Sequence, residues 1–159
     1  MFVTKSGRPI SYHGREYTAN IQRTGEKEHT VNSIDQLFQI LLEVWCRATA
    51  YPNCQKDYDH DNDPTYGQCA ITATLVCDMF GGTIHKIRVS GGGTHYFNKI
   101  GNHYIDLTRD QFDLYNIPVE YDVNEVVPRN YCGTNADTRR RYQLLVQSIS
   151  RWLSAHTPA

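Results

Sequence analysis

Three residues in the middle of the chain have the types that nucleophilic acyl transfer needs: Cys69, His95 and Asp106. In such chemistry a thiolate attacks a carbonyl carbon, an imidazole takes and returns the proton, and a carboxylate holds the imidazole in the correct tautomer. Cys69 stands in Gly67-Gln68-Cys69-Ala70, at the start of an apolar stretch with helical character. Unpaired amides and the dipole at a helix N-terminus favour an anion, so this position suits a thiolate. Gly67 allows close approach of a substrate just before the nucleophile. The Cys69 amide is placed to donate to an oxyanion.

The imidazole and the carboxylate come from a hairpin. Gly101-Asn102 is a two-residue turn signal between strands predicted at residues 94–100 and 103–107. That turn pairs Ile100 with His103, Lys99 with Tyr104, Asn98 with Ile105 and Phe97 with Asp106. Alternation then puts His95, Phe97, Lys99, Tyr104 and Asp106 on one face. His95 and Asp106 become diagonal neighbours at ~7–8 Å between backbones, within side-chain reach. His103 falls on the opposite face, which selects His95 over it. Taken singly, each residue has an ordinary explanation: a small buried cysteine, a structural histidine, an aspartate that caps the turn at residues 107–110. The order of helix start, strand and next strand makes a catalytic triad the stronger reading.

The remaining elements have to carry these three. Ser33-Ile34-Asp35-Gln36 is a capping-box pattern. Ile34, Leu37, Phe38, Leu41, Leu42 and Trp45 follow at helical offsets, so an amphipathic helix is predicted to end near Ala48–Ala50, ahead of Pro52. Residues 51–66 read as a loop in which Asp57, Asp59, Asp61 and Asp63 alternate. The glycine and closing glutamate of an EF-hand are missing, which favours a solvated acidic loop over a calcium site. Asp63-Pro64-Thr65 opens the next helix, whose part from Cys69 to Phe80 is apolar nearly all round and hence buried. Gly81-Gly82 ends it. Strands at 83–89, 94–100 and 103–107 form an antiparallel meander. Residues 110–130 read as loop with short extended pieces, 119–123 among them.

The last helix starts near Asn135 or Asp137 and runs to about Leu153, with Leu145, Ile149, Trp152 and Leu153 on its apolar side. Arg139, Arg140 and Arg141 in its first turn read as a solvated face, with contact to an acidic partner as the alternative. Residues 1–32 are polar and broken by Gly7, Pro9, Gly14 and Gly25, and end in the charged run GEKE. They are predicted as an arm or loose hairpin, mobile or packed on a partner. The domain reading is therefore a polar N-terminal arm over 1–32 and one thiol hydrolase domain over 33–159.

Composition bounds these readings. With 159 residues, 40% of them apolar, the chain suits one domain with a sizeable core. Sixteen Lys and Arg against seventeen Asp and Glu argue against a generic nucleic-acid or anionic-membrane binder. The first twenty residues hold no apolar run of the ~7–15 residues a secretory signal needs, and nothing reaches the ~18 of a membrane span. A soluble, cytoplasmic protein is expected. Cys46, Cys54, Cys69, Cys77 and Cys132 are odd in number and form no CxxC pair, which fits reduced thiols. The Cys and His residues lack zinc-knuckle spacing, so no metal and no cofactor is expected.

Asp63-Pro-Thr-Tyr-Gly-Gln-Cys-Ala70, His95-Tyr-Phe-Asn98 and Ile105-Asp-Leu-Thr-Arg-Asp-Gln-Phe112 together resemble the small bacterial YunG-like proteins, over about residues 45–112. The order of elements resembles the papain and transglutaminase-like superfamily of cysteine hydrolases. That resemblance implies an α+β fold with a buried central helix packed on an antiparallel β-sheet. It also implies a side-chain oxyanion donor upstream of the nucleophile, often a Gln. Gln55, fourteen residues before Cys69, and Gln68, next to it, are the candidates. Neither matches the papain spacing. Gln55 is preferred, because a residue adjacent to the nucleophile usually points away from the pocket. Trp45 is a candidate wall of the site, with core packing its ordinary role.

The expected function is thiol-dependent acyl transfer from a peptide or amide, including one within a protein. The acceptor is water (peptidase, amidase, deamidase) or an amine (transglutaminase-like). Two other readings stand beside it. One is a non-catalytic protein-binding module on the same fold, using the arm and the arginine cluster. The other is a metalloprotein with Cys69, His95 and Asp106 as ligands.

Overall fold

Ser33 closes the N-terminus of the first long helix. Its Oγ accepts from the Gln36 amide at 3.1 Å, while Gln36 Oε1 accepts from the Asn32 amide at 2.8 Å. In the computed structural model, which describes residues 1–24, 31–91 and 93–156, this helix (α1) spans Ile34–Val44. It buries Ile34, Leu37, Phe38, Ile40, Leu41 and Leu42. It ends about one turn before the predicted boundary. Trp45 leaves with an extended ψ of 137°, and its indole Nε1 donates to Thr72 Oγ1 at 3.0 Å. A buried indole N–H needs a partner, and this one lies on another helix. The Cys46 amide then donates to Thr49 Oγ1 and restarts the chain as a 3-10 turn over Arg47–Thr49.

Helix α2 spans Cys69–Phe80 and is buried along most of its length. It starts later than the Asp63-Pro64-Thr65 opening, because residues 64–67 are turns and Gly67 takes φ +74°, outside any helix. Gly81, at φ 82°, ends it. Helix α1, α2 and the last long helix share the main core, in which Phe38, Trp45, Ile71, Leu75, Val76 and Leu145 are buried.

The sheet runs in the order β5-β4-β3-β6, with every neighbouring pair antiparallel. Its strands are β3 (Thr83–Arg88), β4 (Thr94–Ile100), β5 (His103–Ile105) and β6 (Glu125–Val127). The β4–β5 register is the predicted one: Ile100 with His103, Lys99 with Tyr104, Asn98 with Ile105. The ladder stops there. Asp106 does not pair with Phe97; it forms an antiparallel bridge with His13 instead. Toward α2 the sheet presents Ile84 and Val127, packed with Ala73. On its other face Ile87 and Phe97 pack with Tyr121. Residues 119–123 form no strand, although Tyr121 is buried there.

A short helix, α3 (Asp110–Asp113), follows Asp106. The last helix, α4, spans Ala136–His156 and is capped by Asn135, whose Oδ1 accepts from the Thr138 amide at 3.1 Å. Arg139 and Arg140 are exposed, as the solvated-face reading expects, but Arg141 is not. Arg141 is 2% exposed and donates to the Thr49 carbonyl at 3.1 Å. Arg140 and Arg141 both pair with Asp137, and Arg139 donates to the Gly133 carbonyl. Acceptors from two elements satisfy this buried guanidinium.

The segment expected as a polar arm contains a hairpin of β1 (Phe2–Val3) and β2 (Pro9–Ile10). Phe2, Ile10 and Tyr12 sit in the main core, and Phe2 packs edge-on against Phe38 at 4.9 Å. The Tyr12 hydroxyl donates to Asp35 Oδ1 at 2.5 Å. The GEKE run and Gly92 of the predicted 90–93 turn lie outside the described residues. The structure is thus mixed α+β, with helices packed on an antiparallel sheet. Among the described residues no helix is long and apolar enough to cross a membrane.

Candidate active site

Cys69 is the first residue of α2 and is half-buried. Gln68 occupies the N-cap position, yet no side chain caps this helix end. The Gln68 side chain is fully buried and donates from Nε2 to the Cys46 carbonyl at 3.0 Å. The first-turn amides of α2 are therefore left to water or to a ligand beside the thiol.

Gly67 shapes the approach to Cys69. A Cβ at this position would lie 2.8 Å from Cys54 Cβ and 3.1 Å from the Tyr51 amide nitrogen, so only glycine fits. The Gly67 carbonyl accepts from the Tyr51 amide at 2.8 Å. Cys54 is thus a second thiol beside the turn that precedes Cys69, which the spacing of the cysteines did not indicate. Burial, and to a smaller degree the neighbouring Cys69, push the Cys54 thiol up.

His95 and Asp106 are each 1% exposed, and the imidazole Nε2 donates to Asp106 Oδ2 at 2.6 Å. Nδ1 is buried without a hydrogen-bond partner, and Cys69 is among the groups that raise the imidazole pKa. Burial alone would lower the imidazole pKa. The Asp106 charge and hydrogen bond, followed by Cys69, outweigh it and hold His95 above its ordinary value. Burial likewise pushes Asp106 up, but the His95 charge and hydrogen bond, with help from Tyr121 and Thr108, bring it below the usual carboxylate range. Both directions describe an imidazolium–carboxylate pair. Phe112 packs edge-on against the His95 ring at 4.6 Å, and Phe97 lies 6.1 Å away, which keeps water from the pair.

Asp106 has further donors. Oδ1 accepts from the Thr108 amide at 3.1 Å and from Thr108 Oγ1 at 3.3 Å. Oδ2 also accepts from the Tyr121 hydroxyl at 2.7 Å. The Thr108 contact follows Asx-turn spacing and was legible in Asp106-Leu107-Thr108. Tyr121 comes from an irregular stretch with no such signal.

Gln55 lies in a 3-10 turn over Pro52–Asp57, next to Cys54. Its Nε2 donates to the Ala50 carbonyl at 3.0 Å. Trp45 is a core residue, 1% exposed, bonded to Thr72 and packed against Phe38. Among the described residues no group of three or more His, Cys, Asp or Glu could hold a metal ion. His95 and Asp106 bond each other directly instead of converging on a common point.

Fold and site together define a small α+β protein with a thiol at a helix start and a buried imidazole–carboxylate pair. The chain belongs to the YunG protein family, whose family model matches residues 33–154. It is 36% identical over 93 residues to the uncharacterized protein YunG of Bacillus subtilis (strain 168), a stretch covering 58% of this chain and 75% of that protein. No solved structure matches the chain.

Proposed function

We propose that this chain is a thiol-dependent acyl-transfer enzyme, built in the manner of papain-like and transglutaminase-like hydrolases, with a Cys69–His95–Asp106 triad. One observation carries the reading: His95 is buried, its Nε2 is committed to Asp106, and its Nδ1 has no hydrogen-bond partner, while Cys69 helps to raise its pKa. A purely structural buried histidine would satisfy both nitrogens.

In the first half-reaction His95, as the imidazolium, already holds the proton on Nδ1, and the Cys69 sulfur attacks the carbonyl carbon of a peptide or amide. The oxyanion that forms is met by amides at the α2 N-terminus and by the second N–H of Gln55 Nε2. His95 gives its proton to the leaving amine, the C–N bond breaks, and a thioester remains on Cys69. Water or a second amine then attacks the thioester and loses its proton to His95. The acid or new amide departs, and the free Cys69 sulfur and the protonated His95 are restored. Asp106 holds the ring throughout and stays ionised.

The non-catalytic alternative has less support, since Arg141 is buried and Phe2, Ile10 and Tyr12 of the arm lie in the core. Iodoacetamide labelling near pH 6, read by mass spectrometry, together with turnover on a peptide and amide panel, tests the proposal. Cys69 should label first, and Cys69→Ala should abolish turnover. Equal labelling of all five cysteines would overturn it.

A further inference from the structure

The Asp106 carboxylate is held from a direction that the triad pattern does not contain. Tyr121 donates to the same oxygen, Oδ2, that accepts from His95, at 2.7 Å and 2.6 Å respectively. The two donors take both lone-pair directions of this one carboxylate oxygen, so the Tyr121 bond leaves the imidazole a single line of approach. Tyr121 is itself held. Arg109 Nη1 donates to the phenolic oxygen at 3.2 Å. The His13 ring lies against it with 4.4 Å between ring centres and a 32° tilt.

His13 also reaches Asp106 by main chain. The His13 amide donates to the Asp106 carbonyl at 3.2 Å, and the Asp106 amide donates back at 3.1 Å. Asp106 is thus fixed by its side chain through Tyr121 and by its backbone through His13, and these two residues touch each other. His13 lies outside residues 33–154, which the family model matches.

We infer that Tyr121 and His13 form a brace that positions the Asp106 carboxylate on His95, so that the amino-terminal segment is a working part of the site. The consequence for catalysis rests on the acyl-transfer reading, whereas the brace itself is a matter of the His95–Asp106 hydrogen bond. Tyr121 and His13 are positioning residues, which act on His95 through Asp106.

The test uses the full chain and two readouts. The first is the downfield proton resonance of the His95 Nε2–H···Asp106 bond, identified by ¹⁵N-histidine labelling and by its loss in His95→Gln. The second is the rate of Cys69 labelling by iodoacetamide at fixed pH. In Tyr121→Phe and His13→Ala the resonance should shift and its proton should exchange with water about tenfold faster. Tyr121→Phe should slow Cys69 labelling by a similar factor. Circular dichroism and a cooperative melt establish that each variant is folded. Should Tyr121→Phe fail to fold, His13→Ala, which keeps the backbone bridge, carries the test alone. An unchanged resonance and exchange rate in the folded variants would overturn the brace. A changed resonance, with wild-type Cys69 no more reactive than the other four thiols, would leave the brace standing and remove the enzymatic reading instead.

Discussion

His13 and Asp106 exchange a pair of main-chain hydrogen bonds, so the residue that carries the carboxylate is paired with the amino-terminal segment and not with β4. The β4–β5 ladder stops at Asn98–Ile105. Released from that ladder, Asp106 directs its carboxylate at His95, Thr108 and Tyr121 together.

The His95–Asp106 pair fixes how stability should vary with pH. His95 is held above the ~6.5 of an unfolded histidine, so the folded state keeps its proton longer. Its contribution is complete below about pH 6.5 and is lost as pH rises through the raised value. Asp106 lies below its unfolded ~3.9, so its contribution is present above that value and is lost as pH falls through the lowered one. Melting curves of the wild type and His95→Gln should differ most near pH 5–6 and converge toward pH 10. A gap independent of pH would contradict the pairing.

Asp63 behaves in the opposite sense. Burial, then the Asp110 charge, push it up to about 6 despite Arg8 nearby. Its ionisation above that pH therefore opposes folding. Asp63→Asn should stabilise the chain at pH 8 by roughly 1–3 kcal/mol, allowing for screening, and the gain should vanish by about pH 4. Thermal melts at the two pH values decide it, and equal shifts at both would refute the assignment.

Gln55 separates alkylation from acyl transfer. Displacement of iodide at carbon builds no oxyanion, whereas acylation by p-nitrophenyl acetate does. Gln55→Ala should leave iodoacetamide labelling of Cys69 unchanged and slow the acylation burst by about 100-fold. A full-rate burst would leave the α2 amides as the oxyanion donors.

Two glycines in the amino-terminal segment form a matched pair. Gly14 and Gly7 both have positive φ, at +86° and +88°. A Cβ at Gly14 would lie 2.3 Å from the Tyr104 carbonyl oxygen, while one at Gly7 meets nothing within 4 Å. Gly7→Ala should cost only the backbone strain, about 1 kcal/mol. Gly14→Ala should cost more than about 3 kcal/mol, because the chain has to lift off β5. Urea unfolding of the two variants gives the comparison, and equal losses would mean that the segment does not press on the sheet.

Much of the site was legible because its determinants are local. The apolar run from Cys69 and the Gly81-Gly82 stop mark α2, and the Gly101-Asn102 turn sets the β4–β5 register as far as Ile105, one residue short of Asp106. What escaped the sequence depends on distant partners. Trp45 leaves α1 for a hydroxyl on Thr72, and no periodicity in α1 encodes that. Arg141 belongs to a charged run, and only the packing of α4 against the Thr49 carbonyl buries it. Tyr121 and His13 come from stretches without a repeating pattern, so nothing in their own neighbourhoods announced Asp106.

The His13–Asp106 bridge also sets an order of events during synthesis. Residue 13 leaves the ribosome long before residue 106, and until β5 follows, Phe2, Ile10 and Tyr12 have only part of their eventual cover. Closing so long a loop is entropically costly and comes late, which makes folding slow relative to helical proteins of equal length. Under the proposed triad, the thiol at residue 69 therefore emerges as an ordinary cysteine and gains its ordered partners only when the two distant parts of the chain meet.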